Sequence, residues 1–240
     1  MLPETTDELL KLSFYATPSH SCSYLKDQQA TTVFLDPEKH VNQKLYTRLS
    51  ETGFRRSGSH IYRPHCETCQ ACVPVRVPVA QFAPNRTQKR CLKKGQNFLM
   101  KFESAYYDDQ QYALYELYLS ERHSDGDMYP PSKTQYKEFL FSDWANTKFL
   151  SLFDNDKLIV CSVIDELDNG YSAVYTYFHP DYDKFSLGRL AILRLIEFAE
   201  SQNKDFVYLG YLVKECRKMK YKSEYRPLDC LVGNRWIRLT

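Results

Sequence analysis

The sequence predicts an α+β protein whose first hundred residues are irregular and whose remainder is built from regular elements. Three observations carry that expectation. Strand-like alternation and helical periodicity follow one another from about residue 101 onward. Before that point Pro18, Pro37, Pro64, Pro74, Pro78 and Pro84 cut every long periodic run. A content of 43% hydrophobic and 15% aromatic residues over 240 positions is ample for a packed core. The expected division is an N-terminal cysteine-containing domain at 1–100, ending in a basic segment, and an α+β domain at 101–240.

Each element has its own signal. A helix is expected at 41–52, where Leu45 and Leu49 recur at four-residue spacing and Gly53 offers a stop. Residues 73–79 alternate as a strand does, and Pro74 and Pro78 argue for a sheet edge. KFESAYY at 101–107 reads as a strand, 112–122 as a helix, and 133–141 as a second helix behind Ser132, a good N-cap. The segments 148–154 and 157–167 form a hairpin about Asn155 and Asp156, with a third strand, YSAVYTYF, at 171–178. Leu187, Leu190, Ala191, Leu195 and Phe198 make one apolar face of a helix at 186–200, which Ser186 is placed to cap, and FVYLGYLV at 206–213 is a buried strand.

Antiparallel strands followed by a strand-helix-strand crossover resemble the order of a GNAT-type acyltransferase. Ser186 and Gly188 stand where such enzymes present backbone N–H groups to the pyrophosphate of coenzyme A. Phe185 and Leu190 replace the residues of that phosphate loop, so the resemblance points to an acyl donor other than acetyl-CoA. No Walker motif, dinucleotide fingerprint or serine-histidine-acid arrangement is visible.

Net charge is only +2, but it is unevenly placed: six basic residues and no acid lie between Asn85 and Lys101. Clustered Lys and Arg on an otherwise slightly acidic body suit a polyanion that docks in one orientation. Arg86, Lys89, Arg90, Lys93 and Lys94 recur at three- and four-residue spacing and can meet successive phosphates from one helix face. A solvated helix without a partner is the plainer alternative. No run of 18 apolar residues is present and the start, MLPETTDELLKLSF, is acidic and interrupted, so neither membrane span nor secretory signal is expected and the expected compartment is the reducing cytoplasm.

The eight cysteines are then thiols or metal ligands in preference to disulfides. Cys66, Cys69 and Cys72, two residues apart, can converge on zinc or an iron–sulfur cluster. Three ligands leave a tetrahedral site open, so Cys22 or His65, and less readily His20, is the expected fourth. Small thiols filling a tight turn are the alternative. A further basic and aromatic cluster, KMKYKSEYR at 218–226, is expected at the mouth of a cleft.

Taken in order, GFRRSGSHIYRPHCETCQACVPVRVPVAQFAPNRTQKR at 53–90 resembles the N-terminal signature of the arginyl- and leucyl-tRNA–protein transferase family. YTYFHPDYDKFSLGRLAILRLIEFA at 175–199 and FVYLGYLVKECRKMKYKSEYRPL at 206–228 resemble its C-terminal half, and HSCSYL at 20–25 and RHSDGDM at 122–128 also fit. The CSYL form, where the eukaryotic arginyl enzymes have a further cysteine, is similar to the bacterial aspartate/glutamate leucyltransferases. That resemblance implies a GNAT-like domain taking aminoacyl-tRNA, with leucine the expected residue and arginine the alternative, and passing it to a protein with N-terminal Asp or Glu to make a signal for the degradation machinery. It places a metal or cluster at Cys22, Cys66, Cys69 and Cys72, although the reaction requires no cofactor. An aminoacyl ester is already activated and an α-amino group of pKa about 7.7–8.0 is partly neutral, so aminolysis needs alignment more than a strong base. On this reading Arg76 and Lys220 bind the acceptor's acid, and Tyr62 and Tyr221 shape its pocket. Tyr211 and Asp127 form the catalytic pair, Asp127 accepting the ammonium proton or orienting the amine. Arg86, Gln88, Arg90, Lys93 and Lys94 hold the tRNA. A coenzyme A-dependent acetyltransferase and a zinc-stabilised RNA-binding module are the competing classes.

Overall fold

Short strands with polar turns build the N-terminal part of the computed structural model, which describes residue 9 and residues 11–240. Strands β1 (Phe14–Ala16), β4 (Thr32–Leu35), β5 (Arg55–Ser57) and β6 (His60–Pro64) form one antiparallel sheet in the order β1-β4-β6-β5, and β2 (His20–Ser21) pairs with β3 (Gln29–Ala30). Helix α1 (Gln43–Glu51) starts where Asn42 accepts a 2.8 Å bond from the Leu45 N–H and buries Leu45, Tyr46 and Leu49. The β5–β6 turn requires glycine: Gly58 has φ of 57° and a Cβ there would stand 2.3 Å from the Glu138 carbonyl oxygen.

The second sheet has eight strands. After β7 (Val73–Pro78) and helix α2 (Arg86–Lys94) come β8 (Leu99–Ser104), helices α3 (Asp109–Arg122) and α4 (Lys133–Leu140), and strands β9 (Thr147–Asp154), β10 (Lys157–Glu166) and β11 (Gly170–Phe178). Helix α5 (Leu187–Ser201), β12 (Phe206–Leu212), β13 (Leu228–Val232) and β14 (Arg235–Leu239) complete the chain. Strand order is β14-β13-β7-β12-β11-β10-β9-β8, antiparallel throughout except for β11 with β12, which α5 connects. Successive residues of β9 serve opposite faces: Leu150 and Leu152 pack with α5, whereas Phe149 packs with α3 and α4. The second face is rich in phenols, including Tyr115, Tyr136 and Tyr177, whose Tyr136–Tyr177 hydroxyls lie 2.9 Å apart. A third core cluster joins α1 to Leu167 and Tyr208.

The mixed helix and sheet content agrees with the sequence, as do Ser132 capping α4 and the 154–157 hairpin, where Asn155 takes φ of 53°. Two expectations are corrected. Strand β7 is not an edge: it lies between β12 and β13, and its prolines are tolerated because the ladder with β13 runs only through Val75 and Arg76. This strand precedes residue 100, so the large sheet draws on both sides of the expected division. Ser186 does not cap α5 with its side chain; it adopts a left-handed conformation (φ 54°, ψ 54°) after a 3-10 turn at Pro180–Phe185. Among the described residues no helix is long and apolar enough to cross a membrane.

Candidate active-site cleft

The parallel pair β11–β12 is short. Gly170, Tyr171 and Ser172 pair with Phe206, Val207 and Tyr208, and the ladder then stops although both strands continue. Gly210 (φ 80°) lies next to the register shift between β12 and β7. Into the opening beyond the ladder extends a cleft of about 890 Å³, bordered by residues 173–176 and Phe178 of β11 and by Leu209 of β12. The N-terminus of α5 forms one wall, the end of α3 with residues 126–128 another, and the segment 216–225 a third. Carboxyl ends of strands beside a helix N-terminus are the usual seat of a ligand in sheets with a crossover.

The charges around this cleft are unequal. Arg122, Arg189, Lys218 and Lys222 border it, against Asp127 and Asp183. Asp183 is taken by Arg122, and Arg189 is held at 2.7 Å by Glu224. Lys222 is 5% exposed and has no carboxylate partner among the described residues; its Nζ donates to the Tyr211 carbonyl at 2.6 Å and to Met219 Sδ at 3.3 Å. Burial, with the Arg55 guanidinium adding to it, lowers the Lys222 pKa to about 8. The His123 imidazole, 3.0 Å from the Tyr118 hydroxyl, has its pKa lowered by burial and by Lys218, which favours its neutral form. Asp127 stands exposed at the rim.

The family described as "Arginine-tRNA-protein transferase, C terminus" matches residues 110–232, and "Arginine-tRNA-protein transferase, N terminus" matches residues 20–90. The chain belongs to the arginine-tRNA-protein transferase family. It is 51% identical over 233 residues to an aspartate/glutamate leucyltransferase of Teredinibacter turnerae, covering 97% of this chain and 96% of that relative. A relative of the same name from Saccharophagus degradans is 50% identical over 96% of this chain and 98% of its own length. Among solved structures, FemX superposes with a TM-score of 0.45 at 6% identity over 85% of this chain and 81% of that one.

Within this family member the expected site residues separate. Asp127 and Tyr221, the latter 41% exposed, border the cleft. Arg86, Arg90, Lys93 and Lys94 are exposed on α2, which packs against α5 through Cys91, whose thiol donates to the Phe185 carbonyl at 3.3 Å. The basic face therefore lies beside the helix that opens the cleft. Gln88 is different: buried, it closes a capping box with Asn85 and donates to the Glu224 carbonyl at 3.1 Å, so it serves the fold.

Arg76 is corrected as well. It is buried away from the cleft, 3.4 Å from Asp229 and 3.2 Å from the Tyr208 hydroxyl, with its guanidinium carbon 3.5 Å from the Phe206 ring centre and 4.2 Å from that of Trp236. The carboxylate of Asp229, the Tyr208 hydroxyl and the two rings engage this guanidinium within the fold. Tyr211 and Tyr62 do not reach the cleft either; the Tyr211 hydroxyl donates to the Gly53 carbonyl at 2.8 Å, and Tyr211 contributes only the backbone oxygen that holds Lys222. Lys220 is exposed outside the cleft, and the buried cation of that segment is Lys222. Lys218 and Lys222, from the 218–226 cluster expected at the mouth of a cleft, do border it, as do Arg122 of RHSDGDM and Arg189.

Cys22, Cys66, Cys69 and Cys72 border a second cavity of about 400 Å³ together with His20, His65 and Tyr62. Burial, with the other three thiols adding to it, pushes the Cys72 pKa up to about 12. Among the described residues, however, no three His, Cys, Asp or Glu side chains stand close enough to hold one ion. The donor set is chemically suited to a soft metal, but the arrangement does not close around one, and no step below is routed through it.

Proposed function

We propose that this chain transfers leucine from Leu-tRNA to the exposed N-terminal Asp or Glu of other proteins in the cytoplasm, giving products for the degradation machinery. The observation that carries this reading is the cleft itself: a parallel pair opens beside a helix N-terminus, and a buried lysine without a carboxylate stands in its wall. The relatives' shared name, aspartate/glutamate leucyltransferase, supports the substrates. The order of strands and the crossover through α5 support a GNAT-like architecture for this part of the chain.

Arg86, Arg90, Lys93 and Lys94 on α2 meet the tRNA phosphates and bring the charged 3′ end to α5. Lys222, with Lys218 at the mouth, binds the acceptor's side-chain carboxylate, which supplies the partner that Lys222 lacks. The acceptor's ammonium first loses one proton; the freed amine attacks the ester carbonyl, the new C–N bond forms as the ester C–O bond breaks, and a second proton of that nitrogen passes to the leaving ribose oxygen. The proton shed by the ammonium passes to Asp127 at the rim and from there to water. Most of the rate enhancement comes from alignment of two bound reactants.

A coenzyme A enzyme is the reading to exclude. Leu-tRNA at about 100 times its Kd is expected to stabilise the protein by about 2.7 kcal/mol, seen as a rise in melting temperature, whereas acetyl-CoA produces none. Protection by acetyl-CoA and none by Leu-tRNA contradicts the proposal.

A further inference from the structure

Part of the cleft's lining, called its floor below, is apolar, beside the polar Tyr118, Tyr175, Thr176, Ser186 and Tyr225 that border the same cavity. Val174 and Phe178 of β11, Leu209 of β12, Leu187 and Ile192 of α5, and Leu119 of α3 all reach it. They are apolar, and Leu119, Leu187, Ile192 and Leu209 are 0–8% exposed. Gly188 lets α5 approach β11 closely, since a Cβ there would lie 3.3 Å from the Phe178 ring. The carboxylates bordering the cleft are Asp127, exposed at the rim, and Asp183, occupied by Arg122. Four cations, Arg122, Arg189, Lys218 and Lys222, surround the same opening.

We propose that this floor is the subsite for the side chain of the transferred amino acid and that it selects leucine over arginine; the inference rests on the transfer reaction proposed above. A leucyl side chain exchanges water for the methyl-lined wall and leaves no polar group behind. An arginyl side chain has to bring a guanidinium against the same apolar side chains, where its desolvation is not repaid by them. Arg122 and Arg189 are neutralised by Asp183 and Glu224, so it is Lys218 and Lys222 that act on both substrates, attracting the acidic acceptor and repelling the basic donor. Specificity here has an attractive element, the apolar floor, and a repulsive one, the cations.

The test uses one leucine tRNA body carrying leucine, phenylalanine or arginine, supplied together in equal amounts with a peptide beginning with Asp, and products are counted by mass spectrometry. A common tRNA body isolates the side-chain subsite from recognition of the tRNA. The wild-type protein is expected to favour leucyl over arginyl product by about a hundredfold or more, since a site that leaves a polar group unpaired rejects strongly. Ile192→Ala and Leu209→Ala, which enlarge the floor from opposite sides, are each expected to raise the phenylalanyl-to-leucyl ratio by about tenfold, the usual discrimination of an apolar pocket by size. The ratio is internal to each sample, so a partly unfolded fraction leaves it unmoved. Arginyl product formed as readily as leucyl, or an unchanged ratio in both variants, overturns the assignment. Absence of any product from the wild-type protein overturns the transfer reaction itself, an outcome distinct from transfer without discrimination.

Discussion

Replacing Lys222 with methionine is expected to stabilise the protein at pH 7 while removing its preference for acidic acceptors. The residue is 5% exposed, and its ammonium donates to a carbonyl and a thioether beside the Tyr221 ring. Its pKa of about 8 lies below the ordinary lysine value of 10.5, chiefly because burial disfavours the charge. Between pH 8 and 10.5 the unfolded chain binds the proton that the folded protein gives up, so this group makes stability rise with pH across that window. At pH 7 both states are protonated and the fold carries the full burial penalty, on the order of 3 kcal/mol. Methionine fills the space without the charge, and a gain of about 1–3 kcal/mol is expected, shrinking as pH approaches 10. Denaturant unfolding at pH 7 and pH 10 measures it.

Activity is expected to move the other way. Removing one partner of a buried charge pair costs about 2–5 kcal/mol, so kcat/KM for an Asp-starting peptide falls by about a hundredfold or more. Discrimination against an Ala-starting peptide shrinks with it. A residue that costs stability and is retained for function is common at active sites. A variant both less stable and equally selective contradicts this role.

The largest loss of stability is expected at the opposite end of the GFRRSG segment. Arg56 and Asp165 have side chains that are 0% exposed, and they meet in two bonds, Nε to Oδ2 at 2.6 Å and Nη2 to Oδ1 at 2.8 Å. Tyr46 donates to Oδ2 at 2.8 Å and Thr147 to Oδ1 at 2.8 Å, so the carboxylate is saturated. The cluster ties α1 and β5 to β9 and β10 of the large sheet. Arg56→Ala leaves a buried, uncompensated carboxylate and is expected to cost about 3–5 kcal/mol. Urea titration gives the value, and the double variant Arg56→Met with Asp165→Leu is expected to recover most of it because neither charge remains. A single-variant loss below about 1 kcal/mol contradicts the description of this pair as the clasp between the two sheets.

The regular second half was legible because its signals are local. Ser132 caps α4, Asn155 turns the hairpin, and the apolar stripe of α5 needs no distant partner to be recognised. Strands as short as β1 to β6 carry too few residues for alternation to register. The surroundings of the expected site residues are set by contacts that sequence does not show. Arg76 and Lys222 are both cations in aromatic surroundings, and only long-range contacts distinguish them: Asp229, 153 positions away, neutralises Arg76, whereas the main-chain oxygen of Tyr211 receives Lys222. Lys220 and Lys222 look alike in KMKYKSEYR, yet the 3-10 turn at Lys220–Glu224 points one outward and buries the other. Gln88, expected at the tRNA, instead closes a capping box with Asn85, three residues earlier.

Transfer itself is the central claim. The measurement is direct: incubate the protein with tRNA charged with radiolabelled leucine or arginine, offer peptides beginning with Asp, Glu, Lys or Ala, and follow label into peptide. Label is expected to pass from leucyl-tRNA to the Asp and Glu peptides and not to the Lys or Ala peptides, with arginyl-tRNA a poor donor. Label on no peptide, or on all four alike, contradicts the account.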